Sequence, residues 1–175
     1  MKKAVFLDRD GVIAQDRGYS HKSGDLRLVK NCIRGLKLLK NYKLFIVTNQ
    51  SGIGRGYFKF EDFLNYNNKI VEKLKKNYIK IEKTYVCPHK PEDNCRCRKP
   101  KKKFLMDAKK EFGIKLEKSF VIGDRKKDIE MGKKAKCRTV LVKSSETEEI
   151  SKINADFVAN DLLAAAKWIL KNDKK

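Results

Sequence analysis

The chain has 175 residues, 41% hydrophobic and 37% charged, with 43 Lys and Arg against 22 Asp and Glu for a formal net charge of +21. That length buries one core, the apolar content excludes a solvated tail, and no run approaches the roughly 18 apolar residues of a membrane span. The positive excess favours anionic partners, but the lysines are spread over nearly every helical segment, as at residues 73–76, 109–110 and 133–136. Such diffuse charge reads as a solvated surface ahead of a nucleic-acid face.

In chain order, residues 4–7 predict a strand, 33–39 a helix, 44–47 a strand and 60–76 a helix. Residues 84–86 predict a strand, 104–112 a helix, 120–122 a strand, 129–135 a helix, 139–142 a strand and 162–170 a helix. The strands are apolar on consecutive residues, as parallel strands covered on both faces are. Asp128, Asn160 and Asp161 stand where they could cap the helices that follow. The alternation predicts a doubly wound, Rossmann-like α/β fold with a parallel sheet, in one domain over residues 1–175. No signal peptide is legible, since charge intrudes at Asp8 after a short apolar run, so a cytoplasmic location is expected.

Ligands of such sheets bind outside the carboxyl ends of the strands. The polar residues there are Asp8, Arg9, Asp10 and Gly11; Thr48, Asn49, Gln50, Ser51 and Gly52; Cys87, Pro88 and His89; and Gly123, Asp124 and Arg125. Asp8 and Asp10, two apart at the end of a buried strand, could be turn formers or could share a hard cation and a substrate. Asp124 supplies a third carboxylate behind another apolar strand. An Asp nucleophile would divide phosphate-ester hydrolysis into two steps, provided a cation screens the phosphoryl charge.

Three of the five cysteines crowd together, and Cys87, His89, Cys95 and Cys97 make the Cys3His set of a closed, structural zinc site. Zinc there would fold a loop over residues 87–100 that has almost nothing apolar to bury, and would pin Arg98 and Lys99. Cys32 and Cys137 stand alone and read as small buried apolar side chains.

Phe6-Leu7-Asp8-Arg9-Asp10-Gly11 resembles the first signature of the haloacid dehalogenase superfamily. Thr48-Asn49 resembles the second, Lys99 the third, and Gly123-Asp124-Arg125-Lys126-Lys127-Asp128 the fourth. The resemblance implies an Mg2+-dependent phosphatase with Asp8 as nucleophile and metal ligand. It makes Asp10 the general acid and base, binding the metal through its carbonyl, and Asp124 the carboxylate that completes the metal site. Thr48 and Lys99 would hold the phosphoryl oxygens. Asp128 would orient its neighbours or cap the next helix.

The zinc loop, from Cys87 to Pro100, resembles two related phosphatase families without a cap domain, acting on D-glycero-D-manno-heptose 1,7-bisphosphate or on histidinol phosphate. Asp16-Arg17-Gly18-Tyr19 is similar to the heptose family's Asp-His-Gly-Tyr segment, with Arg17 where His is common. Residues 48–56 match that family's second signature too. The resemblance implies that Asp16, Arg17, Gly18, Tyr19, Thr48, Asn49, Gln50, Ser51, Arg98, Lys99 and Arg125 contact a small phosphorylated sugar, with phosphate removed at C7. Arg125 replaces a frequent Lys, which keeps the charge and changes the donor geometry. Tyr19 could also simply pack, and His21 reads as a surface residue. Histidinol-phosphate phosphatase is the alternative within the family, and a polynucleotide 3'-phosphatase is the one outside it. A non-catalytic zinc module is disfavoured by the intact set Asp8, Asp10, Lys99 and Asp124. A monomer without nucleic-acid or membrane partners is expected.

Overall fold

The computed structural model describes residues 2–145, 147 and 149–173. Strands β1 (Ala4–Leu7), β2 (Lys43–Asn49), β3 (Ile81–Cys87), β4 (Phe120–Gly123), β5 (Arg138–Val142) and β6 (Phe157–Ala159) form one parallel sheet ordered β3-β2-β1-β4-β5-β6. Among the described residues six α-helices connect and flank them: α1 (Cys32–Leu38), α2 (Ser51–Gly54), α3 (Phe60–Lys75), α4 (Lys103–Phe112), α5 (Lys126–Lys134) and α6 (Leu162–Asn172).

Alternation along β1 explains why a continuous apolar run is needed. Val5 and Leu7 join Leu36, Ile70 and Ala165 on one face of the sheet, while Ala4 and Phe6 join Leu105, Ala108 and Met131 on the other. All four β1 side chains are fully buried. Phe6 stacks on Phe45 of β2 at 5.2 Å between centroids. Each such large side chain contributes roughly 1.5–3 kcal/mol by leaving water. Cys32 and Cys137 lie in these cores as expected, and burial pushes both thiols up to about 12. Asp161 caps α6, accepting the Ala164 N–H at 2.8 Å, which typically stabilises a helix by about 1 kcal/mol.

The expected doubly wound architecture holds. β2 and β3 are longer than the apolar runs suggest, and β2 takes Thr48 and Asn49 into the strand. Two elements exceed the sequence expectation: edge strand β6, only three residues long, and α2, a four-residue turn carrying Gly52 and Gly54. Between β1 and β2 the described residues hold a 3-10 turn, Ser23–Asp25, and α1, with no inserted cap domain. No helix among the described residues is long and apolar enough to cross a membrane. The strand order reverses between β1 and β4, and there the loops at the carboxyl ends part to leave a crevice.

Candidate active site and zinc centre

Asp8 leaves β1 at that switch point, and its N–H donates to Ile122 O of β4 at 2.9 Å. Its Oδ1 accepts the Arg9 N–H at 2.7 Å and pairs with Lys99 Nζ at 2.9 Å. Lys99 also pairs with Asp128 at 2.6 Å and donates to Val47 O at 2.9 Å, while its backbone N–H donates to Asn49 Oδ1 at 3.1 Å. Burial alone would lower the Lys99 pKa. Asp128 and Asp8 outweigh that and hold the ammonium above its ordinary value. The lysine is therefore a fixed positive charge beside the proposed point of attack.

Asp10 points elsewhere. Arg9 grips it through Nε at 3.0 Å and Nη2 at 2.9 Å, and Gln50 Nε2 donates to its Oδ2 at 2.8 Å and to Thr48 Oγ1 at 2.8 Å. Burial raises the Asp10 pKa against the opposing pull of the Arg9 guanidinium. Arg9 itself is completely buried, donates to Ser20 O at 2.9 Å, and lies 4.9 Å from the Tyr66 ring centroid and 5.5 Å from that of Phe63. The sequence assigned Arg9 no role. Its position between two carboxylates was the available signal.

Carboxylate oxygens of Asp8, Asp124 and Asp128 lie within 4.8 Å of one another. Ser144 Oγ donates to Asp124 Oδ2 at 2.8 Å, whereas the buried Oδ1 has no hydrogen-bond partner among the described residues. Burial, then Asp8 and Asp128, push the Asp124 carboxyl up to about 7. An orphaned carboxylate oxygen facing two further carboxylates fits a hard divalent cation with oxygen ligands, such as Mg2+. Asp128 does both jobs expected of it: it pairs with Lys99, and its Oδ2 accepts the Arg125 N–H at 3.1 Å across the first turn of α5. The chain needs glycine at two points to bring these carboxylates in. Gly11 has φ +81°, and a Cβ there would lie 2.1 Å from Asp124 Oδ2; a Cβ on Gly123 would lie 2.1 Å from Asp128 Cβ.

Asp8 and Asp10 line a crevice of about 310 Å³ together with Asp16, Gly18, Tyr19, Thr48, Asn49, Gln50, Ser51, Arg98, Lys99, Arg125 and Lys127. Every residue expected to meet substrate is there except Arg17. Its side chain is exposed and borders the adjoining depression with Lys30 and Lys143. Asp16 works within the wall: Oδ1 accepts the Gly18 N–H at 2.9 Å, and Oδ2 accepts Arg125 Nη2 at 2.9 Å. Tyr19 is 46% exposed and stands edge-on to Tyr57 at 4.8 Å. Lys127 was not foreseen. His21 stacks on Phe58 at 4.5 Å, away from the crevice lining.

The four expected zinc ligands, Cys87, His89, Cys95 and Cys97, converge as the spacing suggests. Cys87 ends β3, a 3-10 turn at Pro91–Asp93 follows, and left-handed Asn94 (φ 45°) turns the chain back so that Cys95 and Cys97 meet it. Cys87 Sγ is 3.5 Å from Cys95 Sγ and 3.6 Å from His89 Nδ1; Cys97 Sγ is 3.6 Å from Cys95 Sγ and 3.4 Å from His89 Nδ1. These separations exceed a disulfide bond and match the edges of a tetrahedron, about 3.8 Å between sulfurs, around a zinc bound at about 2.3 Å. The donor set fits zinc, with His89 presenting Nδ1. Arg98 is tied to this loop, its Nη1 donating to His89 O at 3.0 Å.

The HAD-hydrolase-like family model matches residues 96–165. The D-glycero-beta-D-manno-heptose-1,7-bisphosphate 7-phosphatase of Helicobacter pylori is 43% identical over 99% of this chain and 94% of its own length. The D-glycero-alpha-D-manno-heptose-1,7-bisphosphate 7-phosphatase of Campylobacter jejuni is 42% identical over 84% of this chain and 86% of its own. A D,D-heptose 1,7-bisphosphate phosphatase from B. bronchiseptica, crystallised with magnesium and phosphate, superposes with a TM-score of 0.85 at 27% identity, covering 97% of this chain and 98% of that one. With relatives this similar over nearly the whole chain, the protein belongs to the heptose 1,7-bisphosphate 7-phosphatase family of haloacid-dehalogenase-like hydrolases.

Proposed function

We propose that the chain is an Mg2+-dependent phosphatase that removes the C7 phosphate of D-glycero-D-manno-heptose 1,7-bisphosphate through an aspartyl-phosphate on Asp8. The observation that carries the reading is the division of labour between two nearby carboxylates. Asp8 is held by Lys99, while Asp10 is held from another side by Arg9 and Gln50. Environments that differ this way separate a nucleophile from an acid.

An Asp8 carboxylate oxygen attacks phosphorus as the bond to the sugar oxygen breaks, and Asp10 delivers its proton to that oxygen. Asp10, now a carboxylate, takes a proton from the water that attacks the phospho-aspartate, which returns the Asp8 carboxylate and frees inorganic phosphate. Acid–base assistance of this kind contributes about 10²–10⁴-fold. Thr48 and Lys99 hold the phosphoryl oxygens. Asp8 and Asp124, with the Asp10 carbonyl, would hold Mg2+, which when bound screens phosphoryl charge. Cys87, His89, Cys95 and Cys97 would hold a structural zinc that leaves no coordination position open to water.

The cations beyond the phosphoryl site, Arg98 and Arg125, suit a substrate with a second phosphate, and family membership supports a heptose. The same reading makes the chain a cytoplasmic monomer with one catalytic domain over residues 1–175. The test is phosphate release from both anomers of heptose 1,7-bisphosphate, from histidinol phosphate and from a 3'-phosphorylated oligonucleotide. The heptose is expected to give the highest kcat/KM. A higher value for histidinol phosphate or for the oligonucleotide would overturn the substrate assignment.

A further inference from the structure

Five cations reach the switch-point crevice or its wall; Arg98 donates to the backbone at His89 O, and of the other four, three have a carboxylate partner. Arg9 has Asp10, Lys99 has Asp8 and Asp128, and Arg125 has Asp16. Lys127 is the exception. It stands in the first turn of α5 between Asp124 and Asp128, is half-buried, lines the crevice beside Asp8 and Lys99, and makes no ion pair or hydrogen bond among the described residues. Burial, then Lys99 and Arg125, work against its charge, and the fields of Asp128 and Asp8 only partly offset them. A lysine held at such a cost in a concave site suits an anion that arrives from outside.

Charge balance says which anion. Asp8, Asp124 and Asp128 face Lys99, and with a divalent cation in place that group is neutral. A phosphoryl dianion brought to Asp8 then needs positive charge that is not already committed. Arg98 is anchored to His89 O of the zinc loop and Arg125 to Asp16. Lys127 lines the same crevice as Asp8 with neither tie, and the Asp8 carboxylate acts on its charge. We infer that Lys127 is a substrate-binding residue of this chain, a second cation that, with Lys99, takes up the charge of the transferring phosphoryl group.

This inference rests on the phosphatase reading, and two readouts separate them. The first is titration calorimetry of inorganic phosphate into the Mg2+-saturated protein, which requires no turnover. Lys127→Met is expected to weaken phosphate binding about tenfold, as for loss of one close charge pair, and Lys127→Arg to stay within about threefold of wild type. Lys126→Met, which removes the same charge from a more exposed lysine that does not line the crevice, should bind phosphate as wild type does. The second readout is kcat/KM, which Lys127→Met should lower by the same factor for heptose 1,7-bisphosphate and for p-nitrophenyl phosphate. Wild-type phosphate affinity in Lys127→Met, with its melting temperature unchanged, would overturn the inference and leave the phosphatase reading standing. A loss confined to the bisphosphate would overturn it too, because Lys127 would then serve the distal phosphate. A wild-type protein that hydrolyses no ester but loses phosphate affinity in Lys127→Met would retire the phosphatase reading alone.

Discussion

The carboxylate cluster and the zinc loop sit a few residues apart in the folded chain and are built in opposite ways. Asp8, Asp124 and Asp128 are buried, and each is fixed by strand ends or a helix turn whose placement the sheet decides. Residues 88–100 have one buried member, Lys99, and it is held by β1, β2 and α5. The rest of the loop lacks a core, apart from the contact of Cys95 and Cys97 with the Phe6 face of the sheet around Phe45 and Tyr85. On the proposed reading, one site is pre-organised by the fold and would accept a cation into a finished frame. The other would use a cation as the core it lacks.

Removing Asp8 tests the first half of that contrast most severely. Asp8→Asn should lower turnover by at least about 10³-fold, since an amide cannot form the acyl phosphate. The metal-free variant should melt no lower than wild type: one like charge leaves the cluster, and Lys99 keeps Asp128 at 2.6 Å. Substantial turnover in a clean preparation would remove the phospho-aspartate route.

Zinc removal tests the other half. The purified protein should carry about one zinc per chain. Chelation should open residues 88–100 to proteolysis while far-UV circular dichroism changes little. Activity on the bisphosphate should fall about 10–100-fold, the range for lost support around a site. The sequence led us to expect that both Arg98 and Lys99 would be displaced. The bonds of Lys99 to Val47, Asp8 and Asp128 now limit that expectation to Arg98, whose anchor is His89 O. A loop that stayed protease-resistant after complete zinc loss would break the comparison.

The smallest effect sharpens it. Arg98→Ala should lower kcat/KM for the bisphosphate about tenfold and for a small generic ester less than about twofold, because a rim charge meets the part of the substrate remote from Asp8. Equal losses would mean that Arg98 supports the common phosphoryl site.

The architecture and the clustering of Cys87, His89, Cys95 and Cys97 were legible because each rested on a pattern with few alternatives: consecutive apolar residues for strands covered on both faces, and Cys and His at ligand spacing. What escaped lacked such a pattern. β6 offers only Phe157, Val158 and Ala159 between polar residues, too short for any periodicity, and α2 is half glycine. Arg9 and Lys127 escaped for another reason. Both are charged residues inside a motif read for its carboxylates, and in a chain this rich in Lys and Arg a charge alone carries little information. Ser144 was within reach. It follows β5 at the same sheet edge, and applying the strand-end rule to that strand would have placed it against Asp124. Arg17 is the converse case, a residue the family resemblance put in the crevice and the turn at Gly18 carries out of it.

The strand order also fixes when these capabilities appear as the protein is made. β2 and β3 each pair with a strand already synthesised, β1 and β2, and Cys97 precedes α4, so the candidate thiol and imidazole ligands are complete near the middle of the message. β4 must then insert beside β1, on the side away from β2, and only with it come Asp124 and Asp128. A chain cut short before that insertion would hold the zinc ligands yet lack two of the three clustered carboxylates. The carboxylate cluster is thus completed after the thiol and imidazole set, and only once the second half of the sheet is in place.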